Sequence, residues 1–368
     1  MSRRSSHQTA CPRAKHWPPS VVVHLREFLT SSEPTPPGAK QRRRERSRCS
    51  LQHRLAVVSL LLVLSACGSD SSPAQTTSLV AAVANFDLSP DREERFLVGL
   101  YSSDRGEVAL GSVELSFSHL GRIEPSRPGP AEPATPPPPT VATFLPIPAS
   151  EPPPDGGSPT LSPPAGVRGV YSTAPIRFET PGFWEVRVEA EVDGSAYVAE
   201  AAFEVFEASL VPGPGDEAPR TVQPLLGDPD VEPKAIDSRL AIEPEPADPL
   251  LHRQTIADAL DEGRPTMVVV ATPVFCVSRF CGPITEAVRL LAGRYEEDIE
   301  FVHLEVWADF QANQLNPWAL EWIAPKGRSE AAEPWVFLVD ADGTITHRWD
   351  NVASTNELEA AIQLLLGP

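Results

Sequence analysis

Long hydrophobic runs are scarce in this chain of 368 residues. The apolar run at residues 55–66 is only twelve residues long, too short to cross a bilayer as a helix. Cysteine is scarce too. There are five, none of them between residues 77 and 208, so no internal disulfide can brace that stretch. Basic residues are outnumbered, 31 Lys and Arg against 50 Asp and Glu, and the formal net charge of −19 disfavours nucleic acid as a partner. No glycine-rich phosphate loop, zinc-type Cys/His cluster or Ser/His/Asp pattern stands out, so neither a cofactor nor a metal is expected. Methionine and tyrosine number two and four. Proline is the opposite: 42 of them require that part of the chain be linker or low-complexity sequence.

The charge is placed unevenly. Residues 1–66 carry 12 basic and 3 acidic side chains, leaving 19 basic and 47 acidic residues for the rest. A basic leader before an acidic body has the layout of an export signal, with Gln41–Arg48 and Arg54 as its positive region and residues 55–66 as its apolar core. Leu64-Ser65-Ala66-Cys67 resembles a bacterial lipobox, followed by the small polar tether Gly68-Ser69-Asp70-Ser71-Ser72. The resemblance implies cleavage before Cys67, lipidation there, and a cell-envelope location on the extracytoplasmic side. The expected layout is a leader and signal peptide over 1–66 and a tether over 67–76.

Residues 77–208 read as strands. Leu79–Phe86, Arg95–Tyr101, Val108–Phe117, Gly169–Tyr171, Ile176–Glu179, Phe183–Val192 and Ala196–Phe206 are short alternating runs set between turn signals. Seven or so such strands suggest an immunoglobulin-like β-sandwich serving as a spacer or binding module. A proline-rich insert at 125–164, with 16 prolines, is expected to be extended rather than to join a ladder. Residues 209–249, with nine prolines and many acids, read as a linker that wraps onto the next domain.

From residue 250 to 368 the pattern becomes α/β. Thr255–Leu260 reads as a helix, Thr266–Thr272 as a strand, Pro283–Tyr295 as a helix and Ile299–Val306 as a strand. Pro317–Ile323 is a short helix, and Trp335–Asp340 pairs with Ile345–Trp349 across Asp340-Ala341-Asp342-Gly343. Ser354–Leu366 closes the chain as a helix, capped by Ser354 or Thr355 with Glu357 or Glu359 near its start.

With Cys11 and Cys49 in the leader and Cys67 lipidated, the exported protein keeps Cys276 and Cys281. They lie where a strand hands over to a helix, a placement that lowers a thiol's pKa because free N–H groups and the helix dipole stabilise the thiolate. Residues 250–366 resemble a thioredoxin-like domain in element order, and Asp340–Ile345 resembles the hairpin of thiol–disulfide oxidoreductases. That resemblance implies a cis proline at Pro334, bending the chain so that a backbone edge receives substrate. The sequence departs from the family at the cysteines, which are Cys-x4-Cys rather than Cys-x-x-Cys. Thr272-Pro273 before such a pair is also similar to atypical peroxiredoxins, with a spacing one residue too long.

On a continuous helix, positions five apart face about 140° away from each other. A bridge therefore requires either that the helix start after Cys276 or that it unwind locally. These residues point to a thiol–disulfide oxidoreductase acting on extracytoplasmic protein thiols and disulfides, with Cys276 as nucleophile and Cys281 as resolving thiol. A peroxidase using the same cysteines, or a binding lipoprotein with a structural disulfide, are the alternatives. Arg279 is either a thiol-activating charge or a solvated one, and His303 reads as a strand histidine. Trp307, Trp318, Trp322 and Trp335 read as packing, and the scattered carboxylates as solvation.

Overall fold

The computed structural model describes residues 78–102, 106–122, 134–148, 157–163, 166–242, 249–276, 278–324 and 331–367. Cys67, the apolar run at 55–66 and the tether before residue 78 lie outside the described residues. Among the described residues, no helix is long and apolar enough to cross a membrane.

Alternation shapes the first half. In β8 (Gly182–Val192), Trp184, Val186, Val188, Ala190 and Val192 are buried in turn, while Arg187, Glu189 and Glu191 face water. β8 pairs along its whole length with β9 (Ser195–Val205), through a turn in which Asp193 and Gly194 both have positive φ. That is the hairpin geometry an Asp-Gly pair favours. The other strands are β1 (Leu79–Val83), β2 (Glu94–Ser102), β3 (Glu107–Ala109), β4 (Ser112–Gly121), β5 (Thr140–Pro146), β6 (Thr160–Ser162) and β7 (Gly169–Ile176). Together they form one nine-stranded antiparallel sheet in the order β6-β3-β2-β7-β5-β4-β8-β9, with β1 paired to β2. Phe96, Phe117, Phe178, Trp184 and Phe203 meet at its core with ring centroids 5.0–6.3 Å apart. Edge-on pairs of this kind contribute about 0.5–1.5 kcal/mol each beyond their buried area, in a stretch that has no disulfide.

The proline-rich insert does join the ladder, contrary to the expectation for 125–164. β5 pairs with β4 and β7, and β6 with β3. The prolines bunch at 136–139, 152–154 and 163–164, which leaves Thr140–Leu145 with every backbone donor intact.

The second half holds a four-stranded sheet in the order β11-β10-β14-β15, from β10 (Thr266–Ala271), β11 (Glu300–Glu305), β14 (Trp335–Val339) and β15 (Ile345–Asp350). β10 runs parallel to β11 and antiparallel to β14. Being buried on both faces, it is apolar from Met267 to Ala271. Met267 and Val269 face α2 (Cys281–Tyr295) and α4 (Thr355–Leu366). Val268 and Val270 face α1 (Ile256–Asp261) and α3 (Pro317–Ile323), together with Val211 and Ala218. A small hairpin, β12 (Trp307–Asp309) and β13 (Gln314–Leu315), follows β11.

The expected fold class, an immunoglobulin-like sandwich followed by an α/β thioredoxin-like domain, needs correction. The chain is mostly β, 38% strand against 20% helix, and is dominated by the nine-stranded sheet; its helices are few, and no clear α/β thioredoxin domain is present. The described residues all belong to one compact unit. The reason lies in contacts that sequence periodicity cannot register. Segment 209–218 lies along β15, with Gly215 N donating to Ile345 O and Ile345 N to Asp216 O. Arg348 of β15 is buried against Asp87 and Glu94, at 2.9 and 2.7 Å, and also donates to Ser209 Oγ and Val211 O. Asp350 accepts from Phe86 N, and Asn351 donates to Ala84 O. An apolar seam of Leu97, Ile147, Val170 and Val352 fills the space between the two sheets.

Candidate functional site

Beyond Ala271, Thr272 and Pro273 lead into a turn that carries Cys276, and α2 begins at Cys281 itself. Because Cys276 precedes the helix, the helical 140° offset does not apply. The two Cα atoms stand 6.1 Å apart and the sulfurs are bonded. Of the two ways sequence geometry left open, the structure takes the first. Cys281 is wholly buried with Ile284, Ala287 and Val288, whereas Cys276 is half-exposed at the edge of the same core. Phe280, the residue before α2, gives no side-chain cap, and the buried Cys281 is itself the first residue of the helix.

Arg279 is neither a thiol partner nor a free surface charge. Its Nη1 bonds Glu107 Oε2 at 2.7 Å, and its guanidinium lies over the Tyr101 ring, 5.7 Å from the centroid. Phe280 packs into the seam between the sheets. The Cys281 end of the cysteine turn is thus tied to the nine-stranded sheet.

Pro334 is buried just before β14, and the Glu333–Pro334 peptide bond is cis. Glu333 brings the chemistry. A carboxylate oxygen of Glu333 and the two sulfurs all lie within 4.8 Å of one another, and Glu333 Oε2 has no hydrogen-bond partner. Burial, then the charge of Glu305, pushes its carboxyl up to about 8, with the Trp307 indole N–H pulling the other way. Glu305 is itself pushed up to about 7 by burial, against hydrogen bonds from Ser238, Thr272 and Trp307. Two buried acids side by side cannot both ionise cheaply, so the pair holds at least one proton near neutral pH.

Aromatic rings gather at Phe275, the residue before Cys276. Phe275 stacks on Phe310 with centroids 4.7 Å apart, and Trp307 meets Phe310 edge-on. Trp322 and Trp335 are core residues, as expected, and Trp307 and Trp318 are half-exposed.

Among the described residues, two groups could hold a metal: Cys276, Cys281 and Glu333 once the disulfide is reduced, and Asp237, His252 and His303. Reading the acids as mere solvation missed Glu333, Glu305 and Asp237. Only Glu333 had a usable signal in the sequence, its position directly before Pro334. Compared with family models, curated proteins and solved structures, the chain matches none.

Proposed function

We propose that this chain is an extracytoplasmic thiol–disulfide oxidoreductase, anchored at the membrane through a lipid on Cys67, with Cys276–Cys281 as its redox centre. The observation that carries this reading is a bonded cysteine pair with Cys276 half-buried, Cys281 buried at a helix start, and a proton-holding carboxyl within 4.8 Å of both sulfurs. The thiolate of a substrate protein attacks Cys276 Sγ, and the Cys276–Cys281 bond breaks. Cys281 departs as a thiolate, eased by the helix N-terminus, and takes the proton of Glu333. A second substrate thiolate then displaces Cys276 from the mixed disulfide, leaving an oxidised substrate and a reduced pair. In reverse, the Cys276 thiolate opens a substrate disulfide, and Cys281, deprotonated by Glu333, closes the bridge. The wall of Phe275, Trp307 and Phe310 offers an apolar surface to the incoming chain.

The test is a redox titration of the full chain in mild detergent, with thiol trapping and mass readout of the Cys276–Cys281 peptide. A midpoint of about −120 to −270 mV is expected, together with loss of disulfide exchange in Cys276→Ser. A midpoint below about −300 mV, or full exchange in that variant, would instead mark a structural bridge in a binding lipoprotein.

A further inference from the structure

Three residues far apart in sequence meet behind the redox centre. Asp237 precedes the short 3-10 turn Ser238–Ala241, His252 ends another at Pro249–His252, and His303 stands on β11. All three are buried, Asp237 wholly so. Asp237 Oδ2 lies 3.2 Å from His252 Nε2 and 3.7 Å from His303 Nδ1, and the three ligand atoms are all within 4.8 Å of one another.

The hydrogen bonding of His303 makes this arrangement informative. His303 Nε2 lies 3.0 Å from the carbonyl oxygen of Ala271, which can only accept, so Nε2 carries the hydrogen. In the neutral ring, Nδ1 is then a bare lone pair. Nδ1 has no hydrogen-bond partner, and it faces the Asp237 carboxylate. The Asp237 carboxylate is held from its other side by Arg239, whose Nε donates to Oδ1 at 2.9 Å. A ring nitrogen without a hydrogen-bond partner and a carboxylate oxygen thus face each other in a place closed to bulk water, an arrangement that a cation between them would satisfy.

We infer that Asp237, His252 and His303 form a site for a divalent transition-metal cation of the zinc type. Carboxylate and imidazole donors suit such ions. Metal–ligand bonds of roughly 2.0–2.1 Å in a tetrahedron separate neighbouring donors by about 3.3 Å, close to the 3.2 and 3.7 Å seen here. Supporting contacts already exist: Ala271 O fixes the tautomer and tilt of His303, and Arg239 Nε bonds the other carboxylate oxygen, Oδ1, at 2.9 Å. Arg239 also reaches Oδ2, so cation entry moves the guanidinium onto Oδ1, and the positive charge nearby weakens the site relative to one without an arginine. The site also touches the redox centre's acid pair, because Ser238 N, next to Asp237, donates to Glu305 Oε2 at 2.8 Å.

The test uses the full chain in mild detergent, with its disulfide intact, other thiols alkylated and metals removed by chelation. Titration with Zn²⁺ should show a calorimetric site that His303→Gln and Asp237→Asn each weaken by about a hundredfold or more, since even supporting residues account for ten- to a hundredfold. Zn²⁺ should also raise the melting temperature of the wild type but not of the variants. Equal zinc affinity in wild type and folded variants would overturn the assignment. Should the variants not fold, Co²⁺ in the wild type decides. Intense d–d bands of a tetrahedral site without thiolate charge transfer support it, and a weak, water-like spectrum or thiolate bands overturn it.

Discussion

A carboxyl that keeps its proton to about pH 8 beside a disulfide is an acid through most of the neutral range and a base just above it. Glu333→Gln should therefore slow disulfide exchange by about tenfold to a hundredfold and flatten its dependence on pH between 7 and 9. Stopped-flow exchange with a small fluorescent disulfide checks this; an unchanged rate would remove Glu333 from proton transfer. The same residue makes stability depend on pH. Its ordinary value of 4.5 applies to the unfolded chain, so between there and about 8 the folded state holds a proton that the unfolded state has lost. Wild-type stability should thus fall as pH rises through this window, while Glu333→Gln falls less steeply; urea unfolding at pH 5 and pH 8.5 gives the comparison. Beyond the place of Glu333 directly before Pro334, none of this was legible in the sequence. The reach of Glu333 to Cys276 and Cys281, and its neighbour Glu305, depend on β10, β11 and the start of β14 coming together.

The elements themselves were more readable. α4 lies where its apolar spacing puts it, and Ser354 proves to be the cap: its Oγ accepts from Glu357 N, and the Glu357 carboxylate accepts from Ser354 N. Ser354→Ala should cost about 1 kcal/mol in urea unfolding, and a loss below a few tenths would mean that the packing of Leu358 and Ile362 alone fixes the helix start. α3 matches its expected bounds, and β10, β14 and β15 match to within a residue, because apolar runs bounded by turn residues carry their own signal. β5 and β6 were hidden for the opposite reason. Three to seven residues between proline clusters hold no period worth reading, and only β3, β4 and β7 on either side give them their pairing. Asp237, His252 and His303 were hidden likewise, since they lie on three separate segments and form no local motif.

At the scale of the whole molecule, the sequence suggested boundaries where the structure has a seam. Arg348 reads as an ordinary strand charge, yet it is the buried cation shared by Asp87 and Glu94, with Asp87 as deeply enclosed as itself. Burial works against its charge, but the two carboxylates outweigh burial and hold its pKa above the usual arginine value. Arg348→Met would leave two enclosed acids without a counter-ion, and should cost about 3–5 kcal/mol by urea unfolding. A cost under about 1 kcal/mol would show that water reaches the cluster. The fold class went astray at this scale, because periodicity reports which face of an element is buried and not what buries it. The clasp of Arg279 on Glu107, with Phe280 beside it, works on the cysteine turn like a vice on one end of a spring. If the bridge opens as proposed, Cys281 remains held beside that clasp, whereas Cys276, which precedes the helix, has no such hold.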